Sequence, residues 1–347
     1  MASSPLQHGQ DRRVLLPPVM PEDLEIPDGA WLRLDGSIFA TGWRVDVVRQ
    51  GEGDAAIWLA ALRSRIAAVL DEVDAQMSPW REHSDLMRFN RAADGEAFLL
   101  PEPMRSVVEQ AIAIADLSNG AFDPTLYEAT ALWGFSAREV AEGLPDPAGI
   151  AQLNARRRDW RALDFDGSRI IARHGLTLDL CGIAKGHAVD AVMAVVRATP
   201  GAVAALVEIG GELKGWGIRP DGMPWWVELE RPHGATLPPV MAALCDWAVA
   251  SSGDYLRTFR HDGVDYCHAV DPRTLSPIRT GVASATVFDR SCGRADALAT
   301  AMMVLGQEAA IELADAQAIP CLLAVRDEQG VTEYWSAAMW DWLDDDG

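Results

Sequence analysis

Residues 177–190 read T-L-D-L-C-G-I-A-K-G-H-A-V-D. The first four alternate as a short buried strand would, and from Ala184 onward apolar positions recur at helical spacing, with Cys181-Gly182 between the two patterns. A strand, a tight turn and a helix start are expected. Backbone N–H groups at a helix N-terminus lack intrahelical partners, and a glycine lets a backbone come close, so such a junction suits a phosphate. Lys185 sharpens this, because a cation in the first turn opposes the helix dipole and should either reach into water or face an anion. Taken alone, the stretch reads as an ordinary connection carrying a solvated lysine.

The composition narrows the choice. At 347 residues the chain can form one large domain or two closely joined lobes, and 49% hydrophobic with 23% charged residues is the make-up of a soluble globular protein. Fifty-one acidic against 30 basic residues give a net charge of −21, and the basic run is confined to Arg156-Arg157-Arg158, so nucleic acid is not expected as a partner. An anionic ligand on so acidic a chain calls for local compensation, by helix N-termini or a bound divalent cation. The cysteines, Cys181, Cys245, Cys267, Cys292 and Cys321, show no metal-binding spacing and suit a reducing compartment. Neither a secretory leader pattern nor an apolar run of membrane-spanning length is present. A cytoplasmic protein without a transmembrane segment is expected, with the periplasm as the alternative should a leader precede this sequence.

Working outward, residues 1–28 read as a proline-rich flexible arm without a core of its own, and residues 29–347 as the folded domain. Residues 31–48 look extended, with a break at Gly36-Ser37. An amphipathic helix over 55–75 turns Ile57, Leu59, Leu62, Ile66, Val69, Leu70 and Val73 inward. Trp80 sits at the tip of the loop that follows, where an aromatic covers core or stacks on a planar ligand. A second helix spans 102–117 and a third 148–157, whose arginines are expected to form a solvated face or cap. Downstream come a helix over 184–197, a strand over 202–209 ending at Gly210-Gly211, extended segments over 225–230 and 247–251, and a loop from Ser251. A proline-broken strand over 265–274, a strand over 282–288, a helix from Cys292 and a last strand over 321–326 complete the chain.

Several residue groups could carry chemistry. Asp296 and Thr300 stand four apart on one helical face and offer two oxygens to a hard cation, although the pair on its own is commonplace in a helix. His268 could act as a general base, and Ser252, Asp254 and Asp271 lie close enough in sequence to raise a Ser-His-Asp reading, but no G-x-S-x-G elbow supports it. Cys181 beside a helix N-terminus is a conceivable nucleophile without an identifiable base.

In combination these motifs resemble a known family. M-S-P-W with S-D-L-M-R-F-N, then G-A-F-D-P-T, L-W-G-F, D-L-C-G-I-A-K-G-H-A-V-D, E-I-G-G-E-L, S-S-G-D-Y, H-A-V-D-P-R-T and A-D-A-L-A-T-A-M-M-V-L-G, in this order, are similar to those of the FAD:protein FMN transferases, the ApbE family. The resemblance runs from about Ser37 to Gly306. It implies an α+β protein of two entwined lobes of mixed sheets and helices with FAD in the cleft between them. It also implies a magnesium-dependent enzyme that moves FMN from FAD to a threonine or serine hydroxyl of an acceptor protein and releases AMP.

Carried over by position, the resemblance places Phe39, Trp80, Ala121, Phe122, Asp123, Asp179, Lys185 and Val270 against FAD. It places Gly182, Asp296 and Thr300 on Mg2+, with Gly182 acting through its carbonyl, and makes His268 catalytic. The family's acceptor pattern, Asp-x-x-Ser-Gly-Ala-Thr or -Ser, does not occur in this chain, so modification of itself is not expected. Departures are Phe39-Ala40-Thr41 for Met-Gly-Thr, Trp80 for tyrosine, Tyr127-Glu128 for Gly-Pro, Cys267 for serine, and Arg294 for glutamate. Two other readings remain: an FAD diphosphatase, in which water replaces the acceptor hydroxyl, and a non-catalytic FAD-binding protein.

Overall fold

Alternation of apolar and polar residues makes strand Thr41–Arg49, which buries Trp43, Val45 and Val47 and pairs antiparallel with Ala30–Ile38. The reversal falls at Phe39-Ala40, both in the left-handed region at φ 51° and 57°, rather than at the expected Gly36-Ser37. Gly36 has a different task. A Cβ there would lie 2.6 Å from the Trp43 ring on the opposite strand, so this glycine makes room for the indole. The protein is described by a computed structural model over residues 13–17, 25–136, 143–255, 257–328 and 330–344.

The hairpin begins an eight-stranded antiparallel sheet. Its order from the far edge is Gly330–Trp335, Cys321–Asp327, Val282–Asp289, Ala248–Gly253, Glu212–Trp216, Ala202–Ile209, Thr41–Arg49 and Ala30–Ile38. Helices Ala55–Met77, Ala184–Arg197 and Cys292–Leu305 share the large core on one face with Val45, Val207, Ala250 and Val287. On the other face Val48, Leu206, Val249, Phe288 and Trp335 meet Leu15, Trp225, Val240 and Trp342. Mixed helices and sheets of this kind make the chain α+β, as the family resemblance implies.

Several expectations change. Arg13–Leu15 is a strand parallel to Val240–Leu244, with Leu15 fully buried, so this part of the arm belongs to a core; residues 1–12 and 18–24 lie outside the described residues. Ile57 is 70% exposed, because the buried face of its helix starts only at Leu62. Residues 177–180 are extended but join no sheet. The Asn90 side chain takes the place of a neighbouring strand there, accepting from the Leu178 N–H at 2.7 Å and donating to its carbonyl at 2.8 Å. Ser251–Gly253 continues a strand, since its backbone pairs with Thr286, Ala285 and Ser284. Arg157, expected on a solvated face, is largely withdrawn from solvent and ion-paired with the buried Asp123.

The two helices that matter most cross at Gly186. A Cβ there would lie 2.3 Å from the Cys292 carbonyl oxygen, so only glycine permits this approach. Asp190, one turn further on, accepts from Ser291 Oγ at 2.9 Å and the Gly293 N–H at 3.1 Å and pairs with Lys214, which fastens the start of the second helix to the first. Cys292–Leu305 is buried on nearly every side by small residues, including Ala295, Ala297, Ala299 and Ala301, so it lacks a polar face. Gly186→Ala should cost about 1–3 kcal/mol through overpacking. Gly149→Ala, at a helical glycine whose Cβ would meet nothing within 4 Å, should stabilise by roughly 0.5–1 kcal/mol. Urea unfolding of both variants checks the contrast; equal effects would contradict the close crossing.

Candidate functional site

The turn Cys181–Ile183 and the first residues of helix Ala184–Arg197 form the centre. No side chain caps this helix at Ile183. Asp179 organises the approach: Oδ1 accepts from the Cys181 N–H at 3.0 Å and Oδ2 from Thr130 Oγ1 at 2.7 Å. Its own N–H donates to the Pro124 carbonyl at 2.7 Å, which seats the 121–124 loop against the turn. From that loop Phe122 reaches in. An added Cβ on Gly182 would stand 3.3 Å from Phe122 Cε2 and 3.1 Å from Thr300 Oγ1, so the bare glycine leaves a small cradle beside the threonine hydroxyl.

Helix Cys292–Leu305 supplies the opposite wall. Asp296 is buried, and its Oδ2 accepts from the Gly186 N–H at 3.1 Å. Burial raises its carboxyl above the ordinary range, against the opposing pull of Lys185 and of that hydrogen bond. Thr300, one turn on, lies 3.4 Å from Ser252 Oγ.

The Lys185 side chain is 37% exposed, but its ammonium does not end free in water. Its ammonium pairs with Glu212, a buried residue that the positional reading left out. Burial opposes the lysine charge, but Glu212 and Asp296 outweigh it and raise its pKa. The Glu212 carboxyl is itself pushed up, chiefly by burial and in part by Asp296, with Lys185 pulling the other way. One ammonium thus serves two buried carboxylates, and Glu212 Oε2 has no hydrogen-bond partner among the described residues. The trace of Glu212 in the sequence is its place directly after Gly210-Gly211. These residues, at φ 60° and 97°, turn the chain and start a strand with a buried acid.

The Phe39-Ala40 turn belongs to the same end of the sheet. A Cβ on Gly210 would lie 2.9 Å from Thr41 Cγ2, so the two hairpin turns abut, and Phe39 packs on the large core. Trp80 is half exposed, and the Arg257 guanidinium lies 5.2 Å from its ring centroid. The N–H of His268 donates to the Arg257 carbonyl at 3.0 Å. His268 is half-buried, its Nδ1 is shielded from solvent without a partner among the described residues, and its pKa falls to about 4 through burial and the nearby Arg257 and Lys185 charges.

Other expectations are revised. The Asp123 carboxylate is engaged within the chain, Oδ1 by the Thr125 N–H and hydroxyl at 2.9 and 2.6 Å and Oδ2 by Arg157. Val270 points its side chain into a small core with Leu126, Leu153 and Leu275. The Ser-His-Asp arrangement does not form: Ser252 meets Thr300, Asp254 meets Arg326, Asp271 meets Arg273 and His268 Nδ1 meets none of them. Burial and Asp179 push the Cys181 thiol well above its ordinary value, which disfavours the thiolate that a nucleophile needs. Among the described residues no group of three or more His, Cys, Asp or Glu could hold a metal. Any cation at Asp296 would therefore depend on neutral oxygens and on its ligand.

The model of the ApbE family matches residues 39–323, from the Phe39 turn through Thr300. The chain belongs to the ApbE family. A Vibrio cholerae relative, FAD:protein FMN transferase, is 36% identical over 313 residues, covering 88% of this chain and 91% of its own. One from Klebsiella pneumoniae with the same name is 31% identical over 87% of both chains. Among solved structures, the apo flavinyl transferase ApbE of Pseudomonas stutzeri superposes with a TM-score of 0.83 at 34% identity, over 92% of this chain and 98% of the other. The Vibrio cholerae flavin transferase ApbE gives 0.81 at 33% identity, over 90% and 99%. The chain is an enzyme of this family of flavin transferases, and no helix among its described residues is long and apolar enough to cross a membrane.

The state of His268 can be tested directly. With a folded pKa of about 4 against an ordinary 6.5, the folded chain does not take up a proton that the unfolded chain binds between those values. Its contribution to stability is full above about pH 6.5 and is lost progressively as pH falls towards about 4. His268→Asn removes that term, so wild type should lose stability relative to the variant over this window in urea titrations. A constant difference would contradict a neutral buried imidazole.

Proposed function

We propose that this enzyme transfers FMN from FAD to a threonine or serine hydroxyl of an acceptor protein, forming a phosphoester and releasing AMP with the help of Mg2+. The observation that carries the reading is the convergence of Gly182, Lys185, Asp296 and Thr300 on one uncapped helix start in a chain of this family. The residues fit a small hard cation. A buried carboxylate, a hydroxyl and the turn at Gly182 offer oxygens around a cradle that a Cβ would fill, and the two buried carboxylates exceed the single ammonium. One carboxylate with neutral donors suits magnesium, which takes its remaining oxygens from water and substrate phosphates. When bound, the ion supplies neutralisation of the pyrophosphate charge.

Each residue then has a role. Lys185 and the helix start bind and orient the pyrophosphate. The Ala121–Asp123 and Val270 contacts fall to backbone, because the Asp123 and Val270 side chains are engaged elsewhere. Phe39 and Trp80 border the flavin, with Trp80 offering an exposed ring face. The acceptor oxygen attacks the phosphorus on the flavin side, its P–O bond forms as the anhydride bond breaks, and AMP departs with the bridging oxygen. The hydroxyl proton passes to neutral His268, whose unpartnered Nδ1 is free to accept it. Arrival of the anionic pyrophosphate beside Lys185 and Arg257 offsets the charges that hold this histidine's pKa down, and so makes it a better base. The five free thiols favour the cytoplasm as the location.

Purified protein given FAD, Mg2+ and an acceptor domain should produce a fluorescent acceptor band and AMP in equal amounts. Chelator or Asp296→Ala should reduce both by about 100-fold or more. Products insensitive to chelator would contradict the metal-assisted reading, and AMP without a labelled acceptor would favour the diphosphatase.

A further inference from the structure

We propose that Glu212 is the positioning residue for Lys185, holding its ammonium at the helix start where the FAD pyrophosphate is to be met. The inference rests on the reading that Lys185 contacts FAD. A lysine in the first turn of a helix is unfavourably placed, since the dipole there is positive. An ammonium in that position either extends into water or is held by a carboxylate, and here a carboxylate holds it. Asp296 is turned towards the Gly186 N–H, whereas Glu212 is within ion-pair distance of Nζ.

Glu212 is well built for the task. It is 1% exposed and opens a strand of the central sheet, directly after the Gly210-Gly211 turn that abuts Thr41. Sheet hydrogen bonds to Ile209 fix its backbone. Lys185 uses Oε1, while Oε2 is buried without a partner among the described residues. The second oxygen gives Nζ an acceptor to move along as it advances towards a phosphate, so the ion pair need not be broken when the ligand arrives. Once a cation occupies Asp296, Glu212 is the carboxylate left to balance Lys185. Its charge therefore orients the lysine without drawing on the metal site.

The test is a double-mutant cycle on FAD binding, read by quenching of flavin fluorescence with Mg2+ present, together with KM and kcat for transfer. Glu212→Gln keeps the shape and one acceptor but removes the charge. It should raise the FAD dissociation constant and KM by about tenfold while leaving kcat within about twofold. In the Lys185→Met background the same change should have no further effect, because a residue acting through Lys185 has nothing left to position. Glu212→Asp should recover part of the loss. An equal loss from Glu212→Gln with and without Lys185, or none in wild type, overturns the proposal while leaving the lysine's own contact intact. Wild-type FAD binding by Lys185→Met overturns the underlying contact and this inference with it. Should Glu212→Gln not fold, Lys185→Met/Glu212→Leu removes both charges together. FAD affinity matching Lys185→Met supports the proposal, and a further loss overturns it.

Discussion

The hydrogen bond from the Gly186 N–H to Asp296 Oδ2 is the contact on which the rest depends. It can form only because Gly186 has no side chain to hold the two helices apart, the Cys292 carbonyl lying where a Cβ would be. Once the helices touch, a carboxylate from the second enters the first turn of the first. That carboxylate gathers the candidate site: Asp296, Thr300, the Gly182 turn and Lys185 lie close together, drawn from segments more than 100 residues apart in sequence. The same closeness buries the charges. Burial raises the Asp296 and Glu212 carboxyls, and a site left with more acid than base is one a cation would relieve.

The sheet serves this junction from outside. Its strands present two abutting turns, Phe39-Ala40 and Gly210-Gly211, at the end where the helix begins, and the second turn delivers Glu212 to Lys185. Both turns use left-handed backbone. Glycine adopts it freely at 210 and 211, whereas Phe39 and Ala40 do so at a steric cost that their neighbours must offset. The hairpin Thr258–His261 and Val264–Cys267 carries His268 to the other side, next to the Arg257 guanidinium that lies over Trp80. In a chain of net charge −21, Lys185 and Arg257 are the two cations whose charges act on His268.

The helices were legible because their apolar spacing is local: Glu102–Leu117 and Ala184–Arg197 fall where periodicity puts them. The errors came where a distant group substitutes for a local one. Asn90 stands in for a strand beside residues 177–180, Asp123 draws Arg157 out of solvent, and Trp43 explains a glycine that reads as a break. Asp296, Thr300, Lys185 and His268 could be named by position in a motif. Glu212 could not be singled out, since its meaning is a partner 27 residues away, and the occupation of Asp123 and Val270 by the chain itself has no local signature.

The central claim is that the helix crossing assembles a cation site at Asp296, and calorimetric titration of Mg2+ into the FAD-loaded protein measures it. Wild type should bind one ion, Asp296→Asn should weaken binding by about 100-fold, and His268→Asn should leave it unchanged. Equal Mg2+ affinity in wild type and Asp296→Asn would contradict the account.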